Sequence, residues 1–140
     1  MVKVKTAYVG MCVDILHVGH INLLEFAGRI AETVVVGLLT DDAMRSYKGE
    51  PFMCYEDRCR IVSSLKMVSK VIPQETLDYT ENLLLLKPIV VIHADDWQKG
   101  PQVETREKVL EVLKAWDGML FEPAYTPGIS STMLKEALKI

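Results

Sequence analysis

Apolar positions recur along the chain in two alternating rhythms. Residues 4–13 carry Val4, Ala7, Tyr8, Val9 and Val13, the pattern of a buried first strand. Residues 18–31 place Ile21, Leu24, Ala27 and Ile30 on a near-helical stripe. Residues 33–39 (TVVVGLL) are apolar on both faces, as strands of covered parallel sheets are. Thr40, Asp41 and Asp42 then supply capping groups for a short helix to about Tyr47, followed by a polar loop over 48–51. Residues 55–68 read as a helix with Ile61, Leu65 and Val68 inside. Val71-Ile72-Pro73 is a short third strand cut off by proline. Residues 78–86 form a helix that stops before Lys87-Pro88, because a residue preceding proline avoids helical dihedrals. Residues 89–93 (IVVIH) are a fourth buried strand, 104–116 a helix and 119–121 a fifth strand. The last helix opens at Ser130, Ser131 and Thr132.

Strands and helices therefore alternate five times. That alternation predicts one α/β domain over residues 1–140: a Rossmann-like, doubly wound, five-stranded parallel sheet with right-handed crossovers. Ligands of such sheets bind beyond the carboxyl ends of the strands, where strand order reverses. The residue types suited to chemistry follow this rule. Asp14, His17 and His20 come after the first strand, Asp41 after the second, Asp95 and Asp96 after the fourth, and Ser130 after the fifth.

Two of the three histidines stand at the start of the first helix, three residues apart with Gly19 between them. They share one side of its first turn, beside free backbone N–H groups and the positive end of the helix dipole. Such a place suits phosphate. A zinc pair is the rival reading, but further histidine or cysteine ligands are missing nearby. Gly19 removes a side chain where a phosphate would approach the backbone. Asp14 is either a loop carboxylate or a group holding Mg²⁺ carried by nucleotide phosphates. Lys48 is either a solvated loop lysine or a mobile cation that closes over phosphates. Arg58 either pairs with a carboxylate on a mixed helix face or binds a ligand. Ser130, Ser131 and Thr132 are an N-cap or a second phosphate-binding helix start. Asp95-Asp96-Trp97 is a capping loop with a packing tryptophan or part of a pocket, and His93 and Cys12 either face the site or pack.

Composition narrows the partners. A net charge of -3 gives no bulk attraction to nucleic acid, so phosphate chemistry must be built locally. No apolar run approaches the roughly 18 residues of a membrane span, and the alternating Val2, Lys3, Val4, Lys5 does not resemble a signal peptide. Cys12, Cys54 and Cys59 lack metal-ligand spacing and are odd in number, which points to a reducing, cytoplasmic setting.

Asp14-Ile15-Leu16-His17-Val18-Gly19-His20 resembles the D-x-x-H-x-G-H signature of the HxGH nucleotidyltransferase superfamily. Gly128-Ile129-Ser130-Ser131-Thr132 resembles its second signature, and Asp95-Asp96-Trp97 is similar to the corresponding segment of cytidylyltransferases. The segments around Gly10-Met11, Gly37-Leu38-Leu39-Thr40-Asp41, Ile72-Pro73-Gln74-Glu75-Thr76-Leu77-Asp78-Tyr79, His93-Ala94-Asp95-Asp96-Trp97 and Tyr125-Thr126-Pro127-Gly128-Ile129 look like phosphonate cytidylyltransferases, including the domain found fused to phosphoenolpyruvate phosphomutase. The resemblance implies CTP, Mg²⁺, a small phosphonate or phosphomonoester acceptor, pyrophosphate release and a homodimer.

By that resemblance His17, His20 and Lys48 are catalytic. Gly10, Met11, Cys12, Asp14, Gly19, His93, Asp95, Asp96, Trp97, Tyr125 and Gly128 to Thr132 (Ile129, Ser130 and Ser131 between them) bind the nucleotide. Asp41, Arg58 and Lys66 bind the acceptor, and Asp14 lies by the metal. Glycerol-phosphate enzymes typically carry Gly-Thr-Phe where Met11, Cys12 and Val13 stand, and arginines at Tyr125 and Lys66. These departures favour a phosphonate, first 2-aminoethylphosphonate and then others such as phosphonoformate. Glycerol-3-phosphate cytidylyl transfer, adenylyl transfer and a non-catalytic nucleotide sensor are the alternatives.

Overall fold

In the computed structural model, which describes residues 2–139, the five strands are all parallel and lie in the order β3-β2-β1-β4-β5. They are β1 (Val4–Met11), β2 (Ala31–Leu39), β3 (Lys70–Gln74), β4 (Val90–Ile92) and β5 (Met119–Phe121). The chain winds outward from β1 in both directions, so the strand order reverses between β1 and β4. That point opens a cleft beyond the carboxyl ends of the strands. The helices are α1 (Val18–Ile30), α2 (Asp41–Arg45), α3 (Tyr55–Ser63), α4 (Thr80–Leu86), α5 (Val103–Leu113) and α6 (Ser131–Leu138).

Strand faces alternate, so β1 divides the core in two. Ala7, Val9 and Met11 face α1 and α3 with Val34, Val36, Leu38, Val90 and Ile92. Tyr8 faces α4 and α5 with Val35, Val91, Tyr79, Trp97 and Leu113. Pro73 lies within β3 rather than ending it. The strand is an edge, where a missing N–H leaves no ladder partner unsatisfied. The predicted helix over 55–68 stops at Ser63. The chain then turns through Leu65 and Val68, which still pack on the core, because Ser64 bonds back to Arg60 and the i→i−3 pattern takes over. No helix among the described residues is long and apolar enough to cross a membrane.

The α4 side of the sheet carries polar groups through its core. The Tyr8 hydroxyl donates to Gln74 at 2.5 Å and accepts from Asn82 at 3.0 Å. It fits only because β2 has glycine beside it: a Cβ on Gly37 would lie 1.7 Å from that oxygen. We expect Gly37→Ala to destabilise the protein by about 3 kcal/mol, the upper end of overpacking costs, in denaturant unfolding.

Candidate active site

The cleft holds about 360 Å³ and is framed by β1, α1, the loops after β2 to β5, and the start of α6. Its floor begins where β1 ends. Val13 has φ of 48°, a left-handed conformation that β-branched residues avoid and that costs about 1–3 kcal/mol. The turn it makes sends Asp14 into the interior and leads into the histidine loop.

His17 is the N-cap of α1. Its Nδ1 accepts from the Gly19 N–H at 3.0 Å, and the Nδ1 of His20 accepts from the His17 N–H at 3.1 Å. A backbone N–H can only donate, so both Nδ1 atoms are unprotonated. In the neutral ring the proton is then on Nε2. The two rings lie 3.9 Å apart, centroid to centroid. Burial, then the Lys48 charge, lowers the His17 pKa. Burial, then His17 and Lys48, pushes His20 down to about 3. The loop therefore presents two neutral Nε2–H donors, kept uncharged chiefly by burial and further by the Lys48 charge. Gly19 also leaves room for the His17 ring in this position, since a Cβ there would lie 2.8 Å from it.

The N-terminus of α6 closes the cleft opposite. Ser130 caps the helix by accepting from Met133. The Ser131 hydroxyl donates to the Ile15 carbonyl at 3.1 Å and accepts from its N–H at 3.4 Å, which pins α6 to the histidine loop. Both hydroxyls serve the fold. The free N–H groups of this first turn and the exposed Thr132 are what the helix start offers to an anion.

Gly10, Met11, Cys12, His93, Asp96, Tyr125 and Ile129 line the same cleft. The Cys12 thiol is pushed up in pKa, chiefly by burial, so it stays protonated and packs. His93 Nδ1 is 2.7 Å from the Ala94 carbonyl and must donate to it, leaving Nε2 as an acceptor. Its ring stacks on Trp97 at 3.7 Å.

Several expected ligands turn out to build the site rather than face it. Arg58 is 0% exposed and donates to the carbonyls of Cys12, Leu39 and Met53 and to Asp41 at 2.7 Å. Arg58 is committed to this frame, and neither it nor Asp41, one oxygen of which it holds, lines the cleft. Lys66 lies at the opposite end of the sheet, in a groove with Lys3, Glu25 and Arg29 beside the strand N-termini. Asp95 accepts from the Tyr125 N–H and donates its own N–H to Pro123, so it clamps the loop before α6. Trp97 is buried under His93 and donates to Glu122. Gly128, with φ of 80°, makes the turn before α6 and stays outside the cleft.

Asp14 is 1% exposed. One oxygen accepts from Phe52 N–H at 2.7 Å and Met53 N–H at 3.3 Å; the other meets the Lys135 ammonium of α6. A carboxylate enclosed in this way does not fit the role of a metal ligand. Among the described residues no group of three or more histidine, cysteine or carboxylate side chains is arranged to hold a metal.

The residues missed from sequence are Tyr47, Gln74, Leu77, Tyr79 and Gln102 on the α4–α5 side, and Asn22 and Thr126 on the α1 side. Gln74, Leu77, Tyr79 and Thr126 lie in segments that carry the family resemblance, which assigns them no role; Tyr47, Gln102 and Asn22 carry no motif, and the strand order brings all of them to the cleft.

Comparison with known proteins agrees with this geometry. A family model described as cytidylyltransferase-like matches residues 8–137. The chain is 34% identical over 96 residues to the bifunctional protein HldE of Aliarcobacter butzleri, covering 67% of this chain and 20% of that protein. It is 31% identical over 130 residues to a probable ethanolamine-phosphate cytidylyltransferase of Schizosaccharomyces pombe, covering 91% of this chain and 34% of that one. It thus spans about a fifth to a third of the length of these curated relatives. The crystal structure of a lipopolysaccharide core biosynthesis protein from Thermoplasma volcanium superposes with a TM-score of 0.72 at 24% identity, covering 88% of this chain and 99% of that one, and shows the same fold. The chain belongs to the cytidylyltransferase-like family.

Two outcomes follow from this geometry. His20 has a folded pKa near 3 against about 6.5 unfolded. The free protein should therefore hold its full stability above about pH 6.5 and lose it progressively as pH falls toward 3. Thermal melts across that range should show a smaller loss in His20→Asn, which keeps an acceptor for the cap and cannot titrate. Arg58→Met should cost about 3–5 kcal/mol in urea unfolding, the cost of breaking a buried ion pair on one side.

Proposed function

We propose that this chain transfers a cytidylyl group from CTP, supplied as its Mg²⁺ complex, to a small phosphonate or phosphomonoester. An ionised oxygen of the acceptor attacks the α-phosphorus. The bond from that phosphorus to the bridging oxygen breaks, and pyrophosphate leaves. The new bond is a P–O–P anhydride. The attacking oxygen is already ionised near neutral pH, so the reaction needs no general base and none is assigned.

The observation that carries this reading is the pair of neutral Nε2–H donors on His17 and His20 at the start of α1. As the displacement proceeds, charge builds on the non-bridging oxygens and on the leaving group. Donors held in place by the fold act there without reorganising. Neutral rings stabilise charge through their N–H groups while Lys48 provides the full positive charge. The N-termini of α1 and α6 add two oriented sets of backbone N–H groups. Positioning and electrostatics then supply the catalysis.

Among acceptors, 2-aminoethylphosphonate is our first choice, with phosphonoformate and other phosphonates next. The S. pombe relative is named for ethanolamine phosphate, whose ammonium and phosphoryl ends resemble those of 2-aminoethylphosphonate. That favours an acceptor of this shape over glycerol 3-phosphate.

His17→Asn separates the two jobs of its ring. Asparagine is a good N-cap and keeps an acceptor for the Gly19 N–H, but it has nothing at the Nε2 position. We expect it to fold and to lose about 10²–10³ in turnover. A near-normal rate would remove the histidine assignment. A pyrophosphate-release screen crossing CTP and ATP with phosphonates and phosphate monoesters should respond to CTP with a phosphonate. A better response to ATP would overturn the cytidylyl reading, and CTP binding without release would make the chain a sensor.

A further inference from the structure

Behind the wall of the cleft, at the ends of β4 and β5, lies a bonded set that the proposed chemistry does not use. Glu122 is the first residue after β5, and its side chain is 13% exposed. One carboxylate oxygen accepts from the Trp97 indole N–H at 2.7 Å and from Arg106 Nε at 2.7 Å. The other accepts from Arg106 Nη2 at 2.9 Å. A two-pronged pair of this kind fixes the carboxylate in direction as well as in place. The Arg106 bonds outweigh burial and hold the Glu122 carboxyl below the usual range, so it stays ionised. Glu122, Trp97 and Arg106 all stay outside the lining of the cleft.

The set reaches the cleft through one ring. Trp97 is buried, and the bond to Glu122 ties down the one polar atom of its side chain. His93 stacks on it with planes 6° apart, and His93 does line the cleft. The stack sets the plane of the imidazole. The bond from Nδ1 to the Ala94 carbonyl sets its rotation within that plane. Together these two restraints leave Nε2 a single direction. In this tautomer Nε2 carries no proton, and it bonds to no described residue, so it is a ready acceptor. Glu122 belongs to none of the sequence motifs and stands twenty-five residues from Trp97.

We propose that Glu122 is a positioning residue: anchored by Arg106, it holds the Trp97 ring, and through that ring the His93 imidazole, so that Nε2 is presented as an acceptor to an N–H or O–H group of the nucleotide. Glu122 itself touches no ligand. The inference rests on the cytidylyl-transfer reading for the identity of the nucleotide. His17, His20 and Lys48 lie outside this bonded set, so its loss weakens nucleotide binding and leaves the chemical step alone.

The test has two arms. In the first, the ring nitrogens of His93 are read by NMR in the nitrogen-labelled free chain. The wild type should show one tautomer, protonated at Nδ1. Glu122→Ala removes the acceptor, and Trp97→Phe keeps an aromatic face without the N–H; both should show averaged ring nitrogens. Glu122→Gln keeps an acceptor for the indole but gives up the charge pair with Arg106, and it should retain the wild-type signal. In the second arm, pyrophosphate release is followed against CTP with whichever acceptor responds. Glu122→Ala should raise KM for CTP about tenfold with kcat unchanged, the mark of lost binding that is equal in ground and transition states. Trp97→Phe should match it, the double variant should be no worse than either single one, and Glu122→Gln should restore most of the loss. Glu122→Gln behaving like Glu122→Ala in both arms would assign the effect to the Arg106 pair and overturn the proposal. Additive losses in the double variant, a fall in kcat at constant KM, or an unchanged His93 signal in Glu122→Ala would overturn it too. A wild type that releases no pyrophosphate with any acceptor would remove the cytidylyl reading, while the NMR arm would still decide whether Glu122 positions His93.

Discussion

The site depends on a guanidinium that never meets water. Arg58 reaches from α3 to three carbonyls and a carboxylate, and so joins the end of β1, the end of β2 and the loop before its own helix. Burying such a charge is costly unless every donor finds a partner. Asp14 repeats the arrangement with opposite sign. It ties the turn after β1 to the Phe52–Met53 backbone and to Lys135 of α6. Between them the two groups hold Val13 in its left-handed conformation and fix the histidine loop between its neighbours. Parallel strands end in open loops, and nothing in the sheet itself sets the geometry there. Two buried charges whose bonds point outward to four segments do.

With the loop held, the protonation state of the histidines follows from backbone geometry. Each Nδ1 is occupied by an N–H of the first turn of α1, so each Nε2 is left as a donor. A protonated ring would lose that cap, and burial and Lys48 already oppose the second proton. The hydrogen bonds that start the helix and the chemistry proposed for the loop therefore require the same tautomer. The capping box, usually a device of helix stability, here also sets the charge of the site.

Fold class was legible in the sequence because alternating apolar runs are sufficient for a parallel doubly wound sheet, and the strand ends named the correct edge. The histidine loop and the serine-threonine helix start were legible as motifs. The roles of the charged residues were not. A helical arginine that donates to carbonyls looks the same in sequence as one that binds a ligand, so the buried bonds of Arg58 were not legible, nor were the bonds that one oxygen each of Asp41 and Asp95 makes to the frame. Lys66 was placed by alignment of residue types, but it follows α3 and so sits at the amino ends of the strands, away from the cleft. Tyr79 lay in a segment of the family resemblance that gave it no role, and Gln102 had no signal at all. Their positions depend on which strand neighbours which, a property of topology rather than of local pattern.

The same topology leaves the histidine loop and the α4–α5 side of the cleft held by different bonds. The loop, Arg58, Asp14 and Ser131 share one bonded set, so a change in any of them is felt by the others. Tyr47, Tyr79 and Asp96 come from three separate loops and reach the cleft independently. Gln102 donates to the Tyr47 hydroxyl, and the Asp96 carboxylate lies 3.7 Å from His93. A fold built this way can keep one set of cleft residues fixed and vary another, because the two sets are held by different bonds.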